Sequence, residues 1–513
     1  MTWHSEQSRK RYVESEVRNS THILKEGFFV RKIKKALALS LALAMGLSLC
    51  ACGDKEEATT EATTAAATEA TTAADDTAAA DDTTAAADDT TAADDTAAAG
   101  AIAAPSTDGW DDSKKIYAYS WDDDFSKKMG IVLDKFPEYK DYVEFVTLGV
   151  GGTSDEYKTA IDTALTSGDK YPSLIPADND VAKYWSETDN TANLTDLGFT
   201  DDVMANSYDF AKQYGTKDGQ LKCVTWQASA GSVFYRRDIA KEVLGSDDPE
   251  TVQAALADWD KFFETADKLK DAGYKIVSGP SDVKYAIWDT QSQPWVTDDG
   301  TSEKLTLDTA VTESLETEKK IYEGGYSNNT KLWDSSWASD MTNDGKVFCY
   351  FGCPWFIGSM QGNGAVDGNW GAVTGPTSYH WGGTYVMVGK DTPNPELCAF
   401  LLYELTCDPE IGVEITNQTG DCVNNKAAND RLINGELAAD NNAAKFLGGQ
   451  NPIEVWAKAA EGINLSNVTY QDASIKNFID EAADAYNSGT YATVDDAVKY
   501  VEDKCASELG ISK

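Results

Sequence analysis

Between Asp54 and Ala104 the chain is written almost entirely in Ala, Thr, Asp and Glu, with repeats such as Thr-Ala-Ala-Asp-Asp. This tract limits everything around it. It carries thirteen acids against one Lys, and Ile102 is its one large apolar residue. So little apolar surface does not offset the entropy of ordering the backbone, and the acids repel one another. The reading is a solvated, extended tether. Taken over 53–113, the tether divides the chain into a short N-terminal region, 1–52, and roughly 400 residues able to fold, too many for one hydrophobic core and suited to two lobes.

The N-terminal region reads as an export signal. Arg31, Lys32, Lys34 and Lys35 form a basic patch, and the uncharged run from Ala36 to Leu49 follows it. That run has the length of a secretory apolar region and is short for a bilayer span. It ends in Leu49-Cys50-Ala51-Cys52-Gly53, the pattern of a bacterial lipoprotein processing site. Ala51 supplies the small residue before the cysteine and Leu49 the apolar one at minus three, so Cys52 is the expected lipidation site. The fold is then expected to sit outside the cell, anchored to the membrane by lipid. The 29 residues before Val30 do not resemble an export signal, and translation is expected to start at Val30.

Charge and composition narrow the partners. The chain has a net charge of −41, and the segment up to Cys52 holds nine basic and four acidic residues, which leaves the remainder near −46. Such a surface disfavours phosphate backbones, so nucleic acid is not an expected partner. Seven cysteines follow Cys52: Cys223, Cys349, Cys353, Cys398, Cys407, Cys422 and Cys505. An odd number leaves at least one thiol free if the others pair within the chain. Cys349 and Cys353 have no second pair with matching spacing, so no metal site is expected. His380 is the one histidine after the tether, there is no Gly-x-Ser-x-Gly turn, and neither phosphate-binding glycine loop is present. No cofactor is implied and an enzyme is not expected. Paired carboxylates of a glycosidase also lack a recognisable motif.

The pattern over the rest of the chain alternates strands with helices. Strands are expected at Lys115–Ser120, Tyr142–Leu148, Ser173–Ala177 and Val347–Tyr350. Helices are expected at Ser154–Leu165, Trp259–Ala272, Glu396–Thr406 after Pro395, Asp472–Tyr486 and Val494–Glu508. This alternation predicts α/β lobes with mixed sheets.

Six segments occur in the order of one family. Lys217–Trp226 reads KDGQLKCVTW, Phe234–Ile239 reads FYRRDI, and Asp258–Phe262 reads DWDKF ahead of Ala266–Lys270. Asp344-Gly345-Lys346-Val347 leads to Cys353-Pro354-Trp355. Trp370–Pro376 precedes Gly382-Gly383-Thr384 and Asn394–Phe400, and Tyr491–Ala497 closes the series. Together they resemble the bacterial extracellular solute-binding proteins of the carbohydrate-uptake group, relatives of maltose-binding protein, over residues 114–513. The resemblance implies a type II periplasmic-binding-protein fold. Its two α/β lobes have mixed sheets and a multi-crossover hinge: 114–228 with 382–428, and 229–381 with 429–513. It further implies a monomer that captures an oligosaccharide in the cleft and hands it to the permease subunits of an ABC importer. Peptide or polyamine capture is the alternative within the fold. Two departures bear on the ligand: Gln227–Gly231 lacks the acid that some sugar binders carry there, and Cys223 replaces a Tyr-like residue.

Sugars present an apolar C–H face to aromatic rings and hydroxyls to carboxylates and amides. Trp355 matches the family's stacking tryptophan, and Trp381, Trp288 and Trp226 join it as candidates. Asp122, Asp123 and Asp124 follow the first strand, and Asp178 and Asn179 follow the third. Neither acidic stretch has the spacing of a calcium loop. Trp259 reads as structural. Trp333 and Trp337, four apart, are expected to share a helical face and to pack in the core.

Overall fold

Eight strands build the two principal sheets: β1 (Ile116–Ser120), β2 (Val143–Thr147), β3 (Pro172–Asp178), β4 (Val224–Thr225), β5 (Ser232–Arg236), β6 (Cys349–Gly352), β7 (Trp370–Val373) and β8 (Thr384–Val388). The structure is a computed structural model, and it describes residues 100–298 and 300–513. The expected signal region, Cys52, the Val30 start and the tether up to residue 99 lie outside the described residues.

The first sheet runs in the order β2-β1-β3-β8-β4. Its first three strands are parallel, and β8 enters antiparallel between β3 and β4. Helices cover the sheet, so β3 and β8 are continuous apolar runs rather than alternating ones. The second sheet is antiparallel, β6-β5-β7. Strand β5 begins just after the chain leaves the first sheet at β4, and β8 returns to the first sheet just after β7. The lobes are therefore discontinuous in sequence.

Local signals account for the helix ends. Ser154 Oγ accepts from Tyr157 N at 3.2 Å to start Asp155–Ser167, which buries Tyr157, Ile161 and Ala164 and stops at Gly168. Asn394 caps Pro395–Cys407, with the proline in its first turn. Thr493 and Asp496 form a capping box at Val494–Lys504. The strand expected at Val347–Tyr350 is displaced to Cys349–Gly352. Val347 instead bridges Lys275, and the ladder to β5 begins only at Cys349↔Tyr235.

The described end of the expected tether is a correction. Residues 100–113 dock on the first lobe. Ile102 packs at Gly198, where a Cβ would meet it at 3.3 Å. Trp110 sits edge-on to Tyr142 at 5.0 Å, and Tyr139 Oη donates to the Pro105 carbonyl at 2.7 Å. Two large apolar side chains are enough to hold this stretch down, and the folded part extends back to Gly100. All seven cysteines after Cys52 are buried free thiols.

Candidate functional site

Parallel strands β1 and β3 end at the same edge of the first sheet, the edge where open α/β sheets take their ligands. Trp121–Asp124 leave β1 there, and Asp178–Asp180 leave β3. Strand β8 starts beside them, with Thr384 in register with Asp178. The Asn179 N–H donates to the Gly383 carbonyl at 3.0 Å. In the second sheet, Ser232 at the start of β5 pairs with Gly352 at the end of β6. Cys353-Pro354-Trp355 therefore emerge where the chain has just crossed between lobes.

Three stretches form that crossing. Ala228 N donates to Cys422 O at 2.9 Å and Asn424 N to Trp226 O at 2.7 Å. On the other side, Gly231 N donates to Tyr379 O at 2.7 Å and Trp381 N to Ser229 O at 3.3 Å. Positive φ values concentrate here, at Ser229 (+42°), Gly382 (+66°) and Gly383 (+90°). The middle stretch is tied into the first lobe through Gln227. Its Oε1 accepts from Thr384 N at 2.9 Å and its Nε2 donates to Asp421 at 2.8 Å.

Aromatic rings cluster where the chain crosses between lobes, with Trp381 itself buried. Trp355 is partly buried and donates Nε1–H to the Trp381 carbonyl at 3.2 Å. Trp381 stacks on Tyr285 at 4.8 Å and 22°. Burial, then the charges of Asp180, Asp480 and Asp178, hold the Tyr285 phenol well above its ordinary pKa. Trp333 corrects the expectation for the Trp333/Trp337 pair. The short helix there starts only at Ser335, so Trp333 lies outside it, 53 % exposed, and packs against Trp355 and Trp381. Trp337 does enter the core, its indole N–H on Asp282 at 2.8 Å. Trp259 stacks on Phe351 within the second lobe.

The structure separates the other candidates. Trp226 and Trp288 are 1 % and 2 % exposed, the first against Phe125 and the second among Trp295 and Ile475. Their indole N–H groups find no acceptor among the described residues. Both pack cores rather than the cleft wall, which their apolar neighbours in sequence favour. Asp123 pairs with Lys127 at 2.8 Å and Asp124 with Lys128 at 2.5 Å, each one helical turn on. Among the described residues Asp122 has no cation partner of this kind. Burial raises its pKa, and one of its oxygens caps Asp124 N at 3.0 Å. Beside it the Trp121 ring lies on Gly152, where a Cβ would meet it at 3.0 Å. Trp121 and Tyr285 were missed in the sequence, although Trp121 sits next to the first-strand acids. Asp178 accepts from Asp180 N at 2.9 Å, and burial, then the Asp180 charge, lift its pKa to about 7. Asn179 keeps a buried Oδ1 that meets no donor among the described residues.

Burial also lifts Asp282 to about 7, Asp289 and Asp472 to about 6 and Glu318 to about 8, while it lowers His380 to about 3. These carboxyls keep protons in the fold that the unfolded chain releases near pH 4, so stability is lost as pH rises toward 6–8. His380 acts oppositely, its contribution present above the unfolded value near 6.5 and lost below it. Several carboxyls outweigh one imidazole. The urea midpoint is expected to be higher at pH 5.5 than at pH 8, by at least about 2 kcal/mol in unfolding free energy. The reverse order would contradict the placement of these groups.

Residues 132–446 match the family model described as bacterial extracellular solute-binding protein. The chain belongs to that family. No curated protein matches this solute-binding protein. Among solved structures, an extracellular solute-binding protein of family 1 superposes with a TM-score of 0.64 at 18 % identity, over 77 % of this chain and 99 % of its own. The galacto-N-biose/lacto-N-biose I-binding protein of an ABC transporter from Bifidobacterium longum, in complex with lacto-N-biose, gives 0.60 at 16 %, over 78 % and 100 %. An ABC transporter associated binding protein from B. animalis subsp. lactis, in complex with β-1,6-galactobiose, gives 0.57 at 19 %, over 78 % and 100 %. At these identities the superpositions establish the fold, two α/β lobes of the type II periplasmic-binding-protein class.

Proposed function

We propose that this solute-binding protein captures a carbohydrate, in the form of an oligosaccharide, between its lobes and delivers it to the permease subunits of an ABC importer without altering it. What supports the reading is the cluster of Trp355, Trp381 and Tyr285 at the lobe crossing, which Asn179 reaches through the Gly383 carbonyl, with Asp178 beside Asn179 and Asp122 after the neighbouring parallel strand. Indole faces take the C–H side of a sugar ring, and the carboxylates and amide take its hydroxyls. The sugars bound in two of the superposed structures, lacto-N-biose and β-1,6-galactobiose, support the same class. Lobe closure about the three crossing stretches would sequester the ligand. The lobes are assigned as 114–228 with 382–428 and 229–381 with 429–513. The Leu49–Gly53 sequence supports a lipid anchor on Cys52 that holds a monomer at the outer face of the cell membrane.

Calorimetric titration with lacto-N-biose, β-1,6-galactobiose, maltose, galactose and glucose tests this, with di- and tripeptides and spermidine as controls and chromatography of the sugar afterwards. Heat from sugars with the sugar recovered intact is the expected result. Heat only from peptides or spermidine, or a cleaved sugar, would overturn the reading.

A further inference from the structure

Trp333 is the most exposed large apolar side chain among the described residues, and its backbone is in the left-handed region at φ +70°. Asp334 N donates to Lys331 O at 3.0 Å, which closes a turn with Trp333 in its third position. Glycine or asparagine normally fills such a position, because a Cβ there crowds the backbone. The loop leading into the turn is fixed from several sides. Asn328 N donates to Ser278 O at 2.9 Å, Ser278 Oγ meets Thr330 Oγ1 at 2.6 Å, and Asp340 accepts from both Ser278 Oγ and Asn328 Nδ2 at 2.8 Å. The surroundings therefore hold a bulky residue in a conformation it disfavours, while half its surface stays in water. The turn itself does not require an indole there.

The inner edge of the indole packs on the buried rings of Trp337 at 5.2 Å and Phe356 at 6.1 Å, and its outer part reaches Trp355 and Trp381 at the lobe crossing. The indole is nearly parallel to Trp355, at 6.3 Å and 19°, and lies 5.8 Å from Trp381. The two near-parallel, offset rings make a stepped apolar surface, with Trp355 inside and Trp333 outside. One pyranose covers one step, and a second ring of the ligand is needed to cover the other.

Resting on the carbohydrate reading above, we propose that Trp333 is the outer stacking residue of the cleft. It sets the preference for ligands of two or more sugar units over single sugars. Backbone strain kept at a ligand-facing residue is the expected cost of such placement.

The test is titration of the full chain, unaltered and as Trp333→Gly and Trp333→Tyr, with lacto-N-biose, β-1,6-galactobiose and maltose against galactose and glucose. Trp333→Gly should weaken disaccharide binding about tenfold, the size of one lost aromatic contact, and leave monosaccharide binding within about twofold. Trp333→Tyr should restore most of the loss. Glycine suits the turn, so the unfolding midpoint of Trp333→Gly should stay close to that of the unaltered protein. Unchanged disaccharide affinity, an equal loss for mono- and disaccharides, or a lowered midpoint without rescue by Tyr would each overturn the assignment. If the unaltered protein binds none of these sugars, the carbohydrate reading itself falls, and this assignment with it.

Discussion

Replacing Trp355 with alanine is expected to raise the Kd for the sugar ligand about hundredfold, the scale of losing a central aromatic anchor. The ring is placed for this by three independent features. It follows β6 at the edge where the chain crosses between lobes, its Nε1–H is spent on the Trp381 carbonyl at 3.2 Å, and its ring stays partly exposed beside Trp333. The substitution should leave the fold largely intact. The Trp381 carbonyl keeps a second donor, Cys353 Sγ at 3.2 Å, so no buried acceptor is orphaned. Lost contacts with Phe356 and Trp381 should lower unfolding free energy by about 1–2 kcal/mol, because Trp355 is only partly buried and the gap it leaves opens to water. Calorimetry and urea unfolding on the same preparation separate the two effects. A Kd within about twofold of the parent's would remove Trp355 from the site.

The elements that position this site were legible because their signals are local. Ser154, Pro395 and Thr493 mark helix starts within a few residues of where the backbone turns, and the run in β3 marks a buried strand, whereas β8 was not expected. The ordered segments from Lys217 to Ala497 carried the family. Ring orientation was not legible, since composition does not say which of fourteen tryptophans face solvent. Trp226 and Trp288 went to cores, and Trp333 to an exposed position against Trp355.

Some of that was nonetheless readable. Asp334 is a helix N-cap residue type, which places Trp333 outside the helix, and Asn328-Asn329 ahead of it signals a turn. Among the first-strand acids, Lys127 and Lys128 stand four residues beyond Asp123 and Asp124. That spacing assigns two of the three carboxylates to helix pairs and leaves Asp122 outside them. Ile102 and Trp110 were likewise the two residues able to end the tether, and both dock. The resemblance placed the crossings near residues 228 and 382, but the close meeting of Ser229 and Gly383 had no local signal, because more than 150 residues separate them.

That meeting carries the second large effect. Gly383→Ala is expected to lower unfolding free energy by about 3 kcal/mol, from a left-handed residue that gains a Cβ and from overpacking. The new methyl would lie 2.5 Å from Ser229 Oγ and 3.1 Å from Ser229 Cβ, and φ at Gly383 is +90°. Ser229 has little room to yield. Its own φ is +42°, its carbonyl holds Trp381 N, and its hydroxyl is buried with no partner among the described residues. Ligand binding should weaken as well, since the Gly383 carbonyl holds Asn179 N and the next residue holds Gln227 Oε1. Ser229→Gly removes both crowding atoms and suits the positive φ, so in the Gly383→Ala background it should recover about 1–2 kcal/mol. Alone it should not destabilise, because it also removes the unpaired hydroxyl. Urea unfolding of the two single variants and the double variant measures this coupling. Strict additivity would mean that the two crossing stretches do not press on each other at this point. A recovery with restored sugar affinity would place the contact in the path of lobe closure.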